Sequence, residues 1–169
     1  MNQDQELRQK AINRVEEYRD IVNLDPYRLH YHIIPPVGLL NDPNGFIQWK
    51  GVYHLFYQWM PFKTGHGAKL WGHYSSTDLV NWRHEEIALT PSDWFDKNGC
   101  YSGSAIAENN VLHLFYTGNV RDDEGNRETY QCLAVSKDGI SFEKQGVVAR
   151  LPKGYTAHIR DLKVWKKSG

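Results

Sequence analysis

Three short stretches carry residues able to act on a small molecule. The first is Asn41-Asp42-Pro43-Asn44-Gly45, preceded by Pro35-Pro36-Val37-Gly38-Leu39-Leu40. Pro fixes φ, and Asn and Gly tolerate the left-handed region, so Asp42 to Gly45 is by itself only a turn signal. The residues after Gly45 give it a setting. Phe46–Trp49, a Lys50-Gly51 break and Val52–Gln58 read as a strand, a hairpin turn and a buried strand. Asp42 is expected at the mouth of a sheet's first strand, its carboxylate held still by Pro43. The second stretch is Tyr101-Ser102-Gly103-Ser104, and the third is Arg160-Asp161. Taken singly, a loop entering a strand and a surface ion pair explain these two equally well.

A repeat joins the three. Tyr53-His54-Leu55-Phe56-Tyr57 returns as Leu112-His113-Leu114-Phe115-Tyr116, 59 residues later, and Ser76-Thr77-Asp78 with Trp82 returns as Ser136-Lys137-Asp138 with Phe142, 60 residues later. Each unit reads as four strands: Phe46–Trp49, Val52–Gln58, Trp71–Ser76 and Trp82–Leu89, then Ser104–Ala107, Val111–Thr117, Gln131–Ser136 and Phe142–Ala149. Loops at Met60–Leu70 and Gly118–Tyr130 lengthen the period. A third unit opens with Leu162–Trp165 as its first strand and residues 166–169 as its hairpin turn. Repeated four-stranded units signify a β-propeller, which needs about four to eight blades to close. Two blades and one strand therefore read as part of a longer protein. Asp42, Tyr101-Ser102 and Arg160-Asp161 occupy one phase of the repeat, where first strands line the central channel. The expectation is that they converge at one mouth of that channel as a small-molecule site, with Trp71, whose flanking glycines suit a loop crossing the channel mouth, as a wall.

The remaining composition narrows the classes. Lys plus Arg and Asp plus Glu number 20 each, so nothing favours nucleic acid or an anionic membrane. No run is long enough to span a bilayer, and the charged N-terminus is not a signal peptide. A cytoplasmic protein with two buried thiols, Cys100 and Cys132, is expected, with no metal and no cofactor. His66 and His73 lack metal-ligand spacing and read as hydrogen-bonding residues. Arg121 to Asn126 reads as a solvated turn rather than a calcium loop. Residues 4–22 read as an amphipathic helix, with Leu7, Ala11, Val15, Tyr18 and Val22 in one stripe ended by Asp25-Pro26.

His32 to Gly45, Phe56-Tyr57-Gln58-Trp59, Trp71-Gly72-His73, Tyr101 to Ser104 and Arg160-Asp161 together resemble the N-terminal part of family 32 glycoside hydrolases, the invertase and β-fructofuranosidase group. The resemblance implies an all-β chain: a partial five-bladed propeller with a short N-terminal helix, residues 1–25 being helix and linker and 26–169 the partial propeller. It implies hydrolysis of the fructosyl bond of sucrose or sucrose 6-phosphate by a retaining double displacement, with the sugar as partner, no nucleic acid and no membrane, and the oligomeric state left open. Asp42 then matches the nucleophile and Asp161 the transition-state stabiliser. Leu39, Leu40, Asn41, Gln58, Trp71, Tyr101, Ser102 and Arg160 match pocket positions. Leu39 stands where many members have Trp, and Leu162 where the family's Arg-Asp-Pro has Pro. The acid/base of the family lies in a Glu-Cys motif of a later blade, and no Glu-Cys pair occurs here. The competing readings are a sugar-binding partial propeller without catalysis, and a related five-bladed glycosidase acting on another sugar.

Overall fold

The computed structural model describes residues 1–29 and 31–167. Eight strands form two four-stranded antiparallel sheets. The first holds β1 (Leu39–Trp49), β2 (Val52–Met60), β3 (Leu70–Ser76) and β4 (Arg83–His84), in that order. The second holds β5 (Cys100–Glu108), β6 (Val111–Arg121), β7 (Arg127–Ser136) and β8 (Glu143–Arg150). Strands meander through hairpins in both, as the repeat implied, and β1 lies beside β5.

One apolar cluster joins the sheets. It contains Trp49, Phe56, Trp71 and Leu89 from the first repeat and Leu112, Leu114, Tyr116, Cys132 and Ala134 from the second. Cys100 and Cys132 are buried free thiols. A second cluster seats α1 (Gln3–Asn23) on the first sheet. The helix begins with a reciprocal cap: Gln5 N–H donates to Asn2 Oδ1 at 2.9 Å, and Asn2 N–H donates to Gln5 Oε1 at 3.2 Å. Such a cap satisfies two otherwise orphaned donors. Ala11, fully buried, packs with Tyr57, Trp59, Leu70 and Ile87, while Val15, Tyr18 and Val22 lie against them. The apolar stripe thus faces the sheet, and Arg8 donates to the Ile87 carbonyl to fasten it.

Four expectations need correction. Asp42 is not in a turn before the first strand but inside β1, which starts at Leu39. The segment Trp82–Leu89 pairs as a strand only at Arg83–His84, although Trp71 still bridges to Leu89. Residues Gly118–Tyr130 are not a long loop. Gly118–Arg121 pairs in register with Arg127–Tyr130, leaving Asp122–Asn126 as the turn. There Asn126 N–H donates to Asp122 Oδ1 at 2.8 Å, so the carboxylate closes the turn. Leu162–Trp165 forms no strand among the described residues. Instead Val164 N–H donates to Ser104 Oγ at 3.1 Å, which lays the segment beside β5. Part of the hairpin turn expected at 166–169 lies outside the described residues.

Candidate active site

The site is made by irregularities at matching places in two strands. Leu40 pairs with Trp59 and Pro43 with Tyr57, so Asn41 and Asp42 together oppose Gln58 alone. In the second sheet Tyr101 pairs with Thr117 and Gly103 with Tyr116, which makes Ser102 an extra residue. Both are β-bulges, which re-aim side chains out of the regular alternation. Pro43, which lacks an N–H, is tolerated at such a break in the ladder. Gly103 is required beside the second bulge: a Cβ there would lie 1.9 Å from the Phe115 carbonyl oxygen.

The bulges turn four polar side chains toward one another. Asn41 Nδ2 donates to Asp42 Oδ1 at 3.1 Å and to Gln58 Oε1 at 2.9 Å. Gln58 Nε2 donates to Ser102 Oγ at 2.8 Å, and Ser102 Oγ donates to Asp42 Oδ2 at 2.8 Å. The result is a closed ring in which both Asp42 oxygens accept a hydrogen bond while the carboxylate remains exposed to solvent. A carboxylate held on both oxygens is fixed in orientation, which suits a nucleophile.

Asp161 lines the same cavity, a cleft of about 540 Å3 that also includes Asn41, Asp42, Gln58, Tyr101 and Arg160. That volume lies within the range of small-molecule sites. Asp161 has a φ of 60°, the left-handed region that a non-glycine residue adopts only at a cost. Its carboxyl titrates above the ordinary aspartate range, chiefly through burial, with Asp42 pushing the same way and Arg160 opposing. Arg160 Nε sits 3.5 Å from Asp161 Oδ2. The two carboxylates expected to converge from distant positions therefore share one cleft.

Four expected pocket residues are not among those lining that cleft; one of them, Ser102, lines an adjoining hollow together with Asp42 and Asp161. Trp71 is fully buried in the core cluster, its ring 5.9 Å from Phe56 and 6.1 Å from Tyr116 by centroid. It lies beneath the site: a Cβ on Gly45 would come within 3.5 Å of the indole. Its place near the start of β3, a strand buried along its whole length, overrides the flanking glycines that suggested a wall. Leu40 packs with the cluster under α1, and Leu39 pairs with Met60 where β1 begins. Conversely, the cleft includes His66, Lys69, Asn98, Arg121 and Arg127, none of which stood out in the sequence as a pocket residue. Arg121 and Arg127 meet because Gly118–Arg121 pairs with Arg127–Tyr130, a pairing that the loop-like composition of the segment conceals.

The comparisons agree with this geometry. Residues 32–169 match the family model described as the glycosyl hydrolases family 32 N-terminal domain. The chain is 71% identical over 166 residues to a sucrose-6-phosphate hydrolase of Bacillus subtilis (strain 168), covering 98% of this chain and 35% of that protein. Its structure is similar to a sucrose-6-phosphate hydrolase from Lactobacillus gasseri, with a TM-score of 0.84 and 39% identity over 90% of this chain and 32% of that one. It is also similar to a variant of a Bombyx mori GH32 beta-fructofuranosidase in complex with sucrose, with a TM-score of 0.87 and 37% identity over 98% of this chain and 35% of that one. The chain spans about a third of the length of the relatives it matches. On the family-model match and these identities, the chain belongs to glycoside hydrolase family 32, with residues 32–169 falling within that family's N-terminal domain.

Proposed function

We propose that the cleft is the fructosyl-binding part of a β-fructofuranosidase that acts on sucrose or sucrose 6-phosphate with retention. Asp42 attacks the anomeric carbon of the fructosyl unit, the bond to the glycosidic oxygen breaks, and a fructosyl ester of Asp42 forms. Water then cleaves that ester. Asn41, Gln58 and Ser102 keep Asp42 aimed through both steps. Asp161 and Arg160 bind the ring hydroxyls and stabilise the charge that develops at the anomeric carbon, with Tyr101 beside them. A retaining mechanism needs a second carboxyl to protonate the leaving oxygen. The family resemblance assigns that role to a glutamate outside these residues. The observation that carries the reading is the Asp42 carboxylate, fixed on both oxygens in a cleft shared with Asp161. The proposed setting is the cytoplasm, since the charge of a phosphorylated sugar keeps it from crossing a bilayer unaided.

The test uses β-D-fructofuranosyl fluoride, whose fluoride leaves without needing a proton. The chain should release fluoride and gain the mass of one fructosyl unit, located on the peptide that contains Asp42. Asp42→Asn should do neither. Labelling of another residue, or equal fluoride release by Asp42→Asn, would count against the assignment.

A further inference from the structure

The cleft holds more positive charge than a neutral sugar requires. Lys69, Arg121, Arg127 and Arg160 line it, against the carboxylates of Asp42 and Asp161, although the chain as a whole balances its charges. Arg160 faces Asp161. Lys69, Arg121 and Arg127 have no carboxylate within ion-pair distance among the described residues. The nearby acids are engaged elsewhere: Asp122 accepts from Asn126, and Glu128 accepts from the Tyr130 hydroxyl.

We propose that Lys69, Arg121 and Arg127 form an anion subsite that recognises a phosphate monoester on the leaving-group half of the substrate. This rests on the fructoside reading of the cleft. Arg121 and Arg127 are direct cross-strand partners in β6 and β7. Like charges placed directly opposite each other destabilise a hairpin, and a bound dianion is what would reverse that penalty. Guanidinium groups also match the oxygens of a phosphate in pairs. Arg121 is held at the strand end by its own N–H, which donates to Asn98 Oδ1 at 2.7 Å. Lys69 reaches the same place from the first repeat. Its residue is only 5% exposed, and its carbonyl accepts the Cys100 N–H at 2.9 Å, which ties it to the start of β5. Lys69 Nζ and Arg127 Cζ each lie 5.8 Å from the centroid of the Tyr101 ring. Two of the cations thus flank one aromatic ring, and the third, Arg121, is the cross-strand partner of Arg127.

Position along the strand fits the leaving group rather than the fructosyl ring. Thr117 pairs with Tyr101, beside Ser102, and Arg121 lies four residues further along β6. At roughly 3.3 Å per residue this is about 13 Å, comparable with the length of a disaccharide. That separation sets Arg121 away from Asp42, while Lys69, whose charge Asp42 favours, lies between the two ends of the cleft. In sucrose 6-phosphate the phosphate sits on the glucosyl unit, at the far end from the carbon that Asp42 attacks.

Calorimetric titration of the chain with sucrose and with sucrose 6-phosphate at low ionic strength tests the subsite. The phosphorylated sugar should bind about tenfold tighter or more. The Arg121→Gln/Arg127→Gln double variant should lose that advantage while binding sucrose as before. Lys10→Gln, which removes a charge on the helix, should keep it. Circular dichroism reports whether the double variant remains folded, and the two sugars on the unaltered chain decide the question without it. Equal affinity for both sugars, or an advantage that survives in a folded double variant, overturns the subsite and leaves the fructoside reading standing. Binding of neither sugar overturns that reading, and the subsite with it.

Discussion

The hydroxyl of Ser102 is used in both directions: it donates to Asp42 Oδ2 and accepts from Gln58 Nε2. Ser102→Ala therefore strands a buried amide donor and frees one oxygen of Asp42. Leaving a buried polar group unpaired costs about 1–3 kcal/mol, so the variant should unfold at lower urea concentration. Its Asp42 should also form the fructosyl ester more slowly, since a carboxylate free to rotate spends less time aligned with the anomeric carbon. A variant that is labelled at the unaltered rate would remove Ser102 from the positioning ring. Asp42 could be singled out in the sequence because its neighbours are distinctive. Ser102 could be placed near it because the repeat put both at one phase. The bulges that make them meet were not legible, because a bulge is a mismatch between two strands and only the pairing register reveals it.

At the scale of the elements, β2 to β4 hide a column of histidines. His54 Nδ1 and His73 Nε2 lie 3.0 Å apart, the His73 ring stacks 4.4 Å from Phe56, and His84 Nε2 lies 3.0 Å from the Tyr57 hydroxyl. Burial lowers the pKa of all three, His73 to about 3 and His84 to about 4. For a base whose folded pKa is depressed, the stability it contributes is complete above the unfolded value near 6.5. It is lost as pH falls from there toward the folded value, because the unfolded chain takes up the proton first. Between pH 7 and pH 5 the loss is up to about 2 kcal/mol for each of His73 and His84. Urea unfolding at the two pH values should show it, and His84→Gln should flatten part of the dependence. Equal stability at both would mean that the column is already protonated or open to water. The strands themselves were legible because apolar residues alternate in them and the pattern recurs. Two boundaries were not. Trp82–Leu89 looked like a strand, but it returns along β3 through isolated hydrogen bonds, such as Ala88 N–H to the Trp71 carbonyl at 2.9 Å. Gly118–Tyr130 looked like a loop because glycine, asparagine and charge dominate it, yet cross-strand pairing continues to Arg121 and Arg127.

The whole molecule sets the site at a seam. Asn41, Asp42, Gln58 and Lys69 come from the first repeat, and Tyr101, Ser102, Arg121 and Arg127 from the second, so the cleft exists only while the two sheets stay in register. Trp71 is the residue best placed to hold them. Its ring touches Phe56 of its own sheet and Tyr116 of the other, and its backbone N–H donates to the Leu89 carbonyl at 2.9 Å. Replacing such a buried ring by alanine costs about 3–5 kcal/mol, because the void cannot fully collapse. Trp71→Ala should therefore unfold at lower urea concentration. Sugar binding should weaken with it, although the side chain does not line the cleft. The shared cluster also predicts that the two sheets of the unaltered chain unfold as one cooperative unit. Urea titrations followed by tryptophan fluorescence and by far-ultraviolet circular dichroism should then coincide. In Trp71→Ala the two curves should separate as the sheets lose their common pillar. If Trp71→Ala binds sugar as tightly as the unaltered chain, and its two curves still coincide, then the indole does not couple the repeats, and the hydrogen-bonded ring across the seam holds the site by itself.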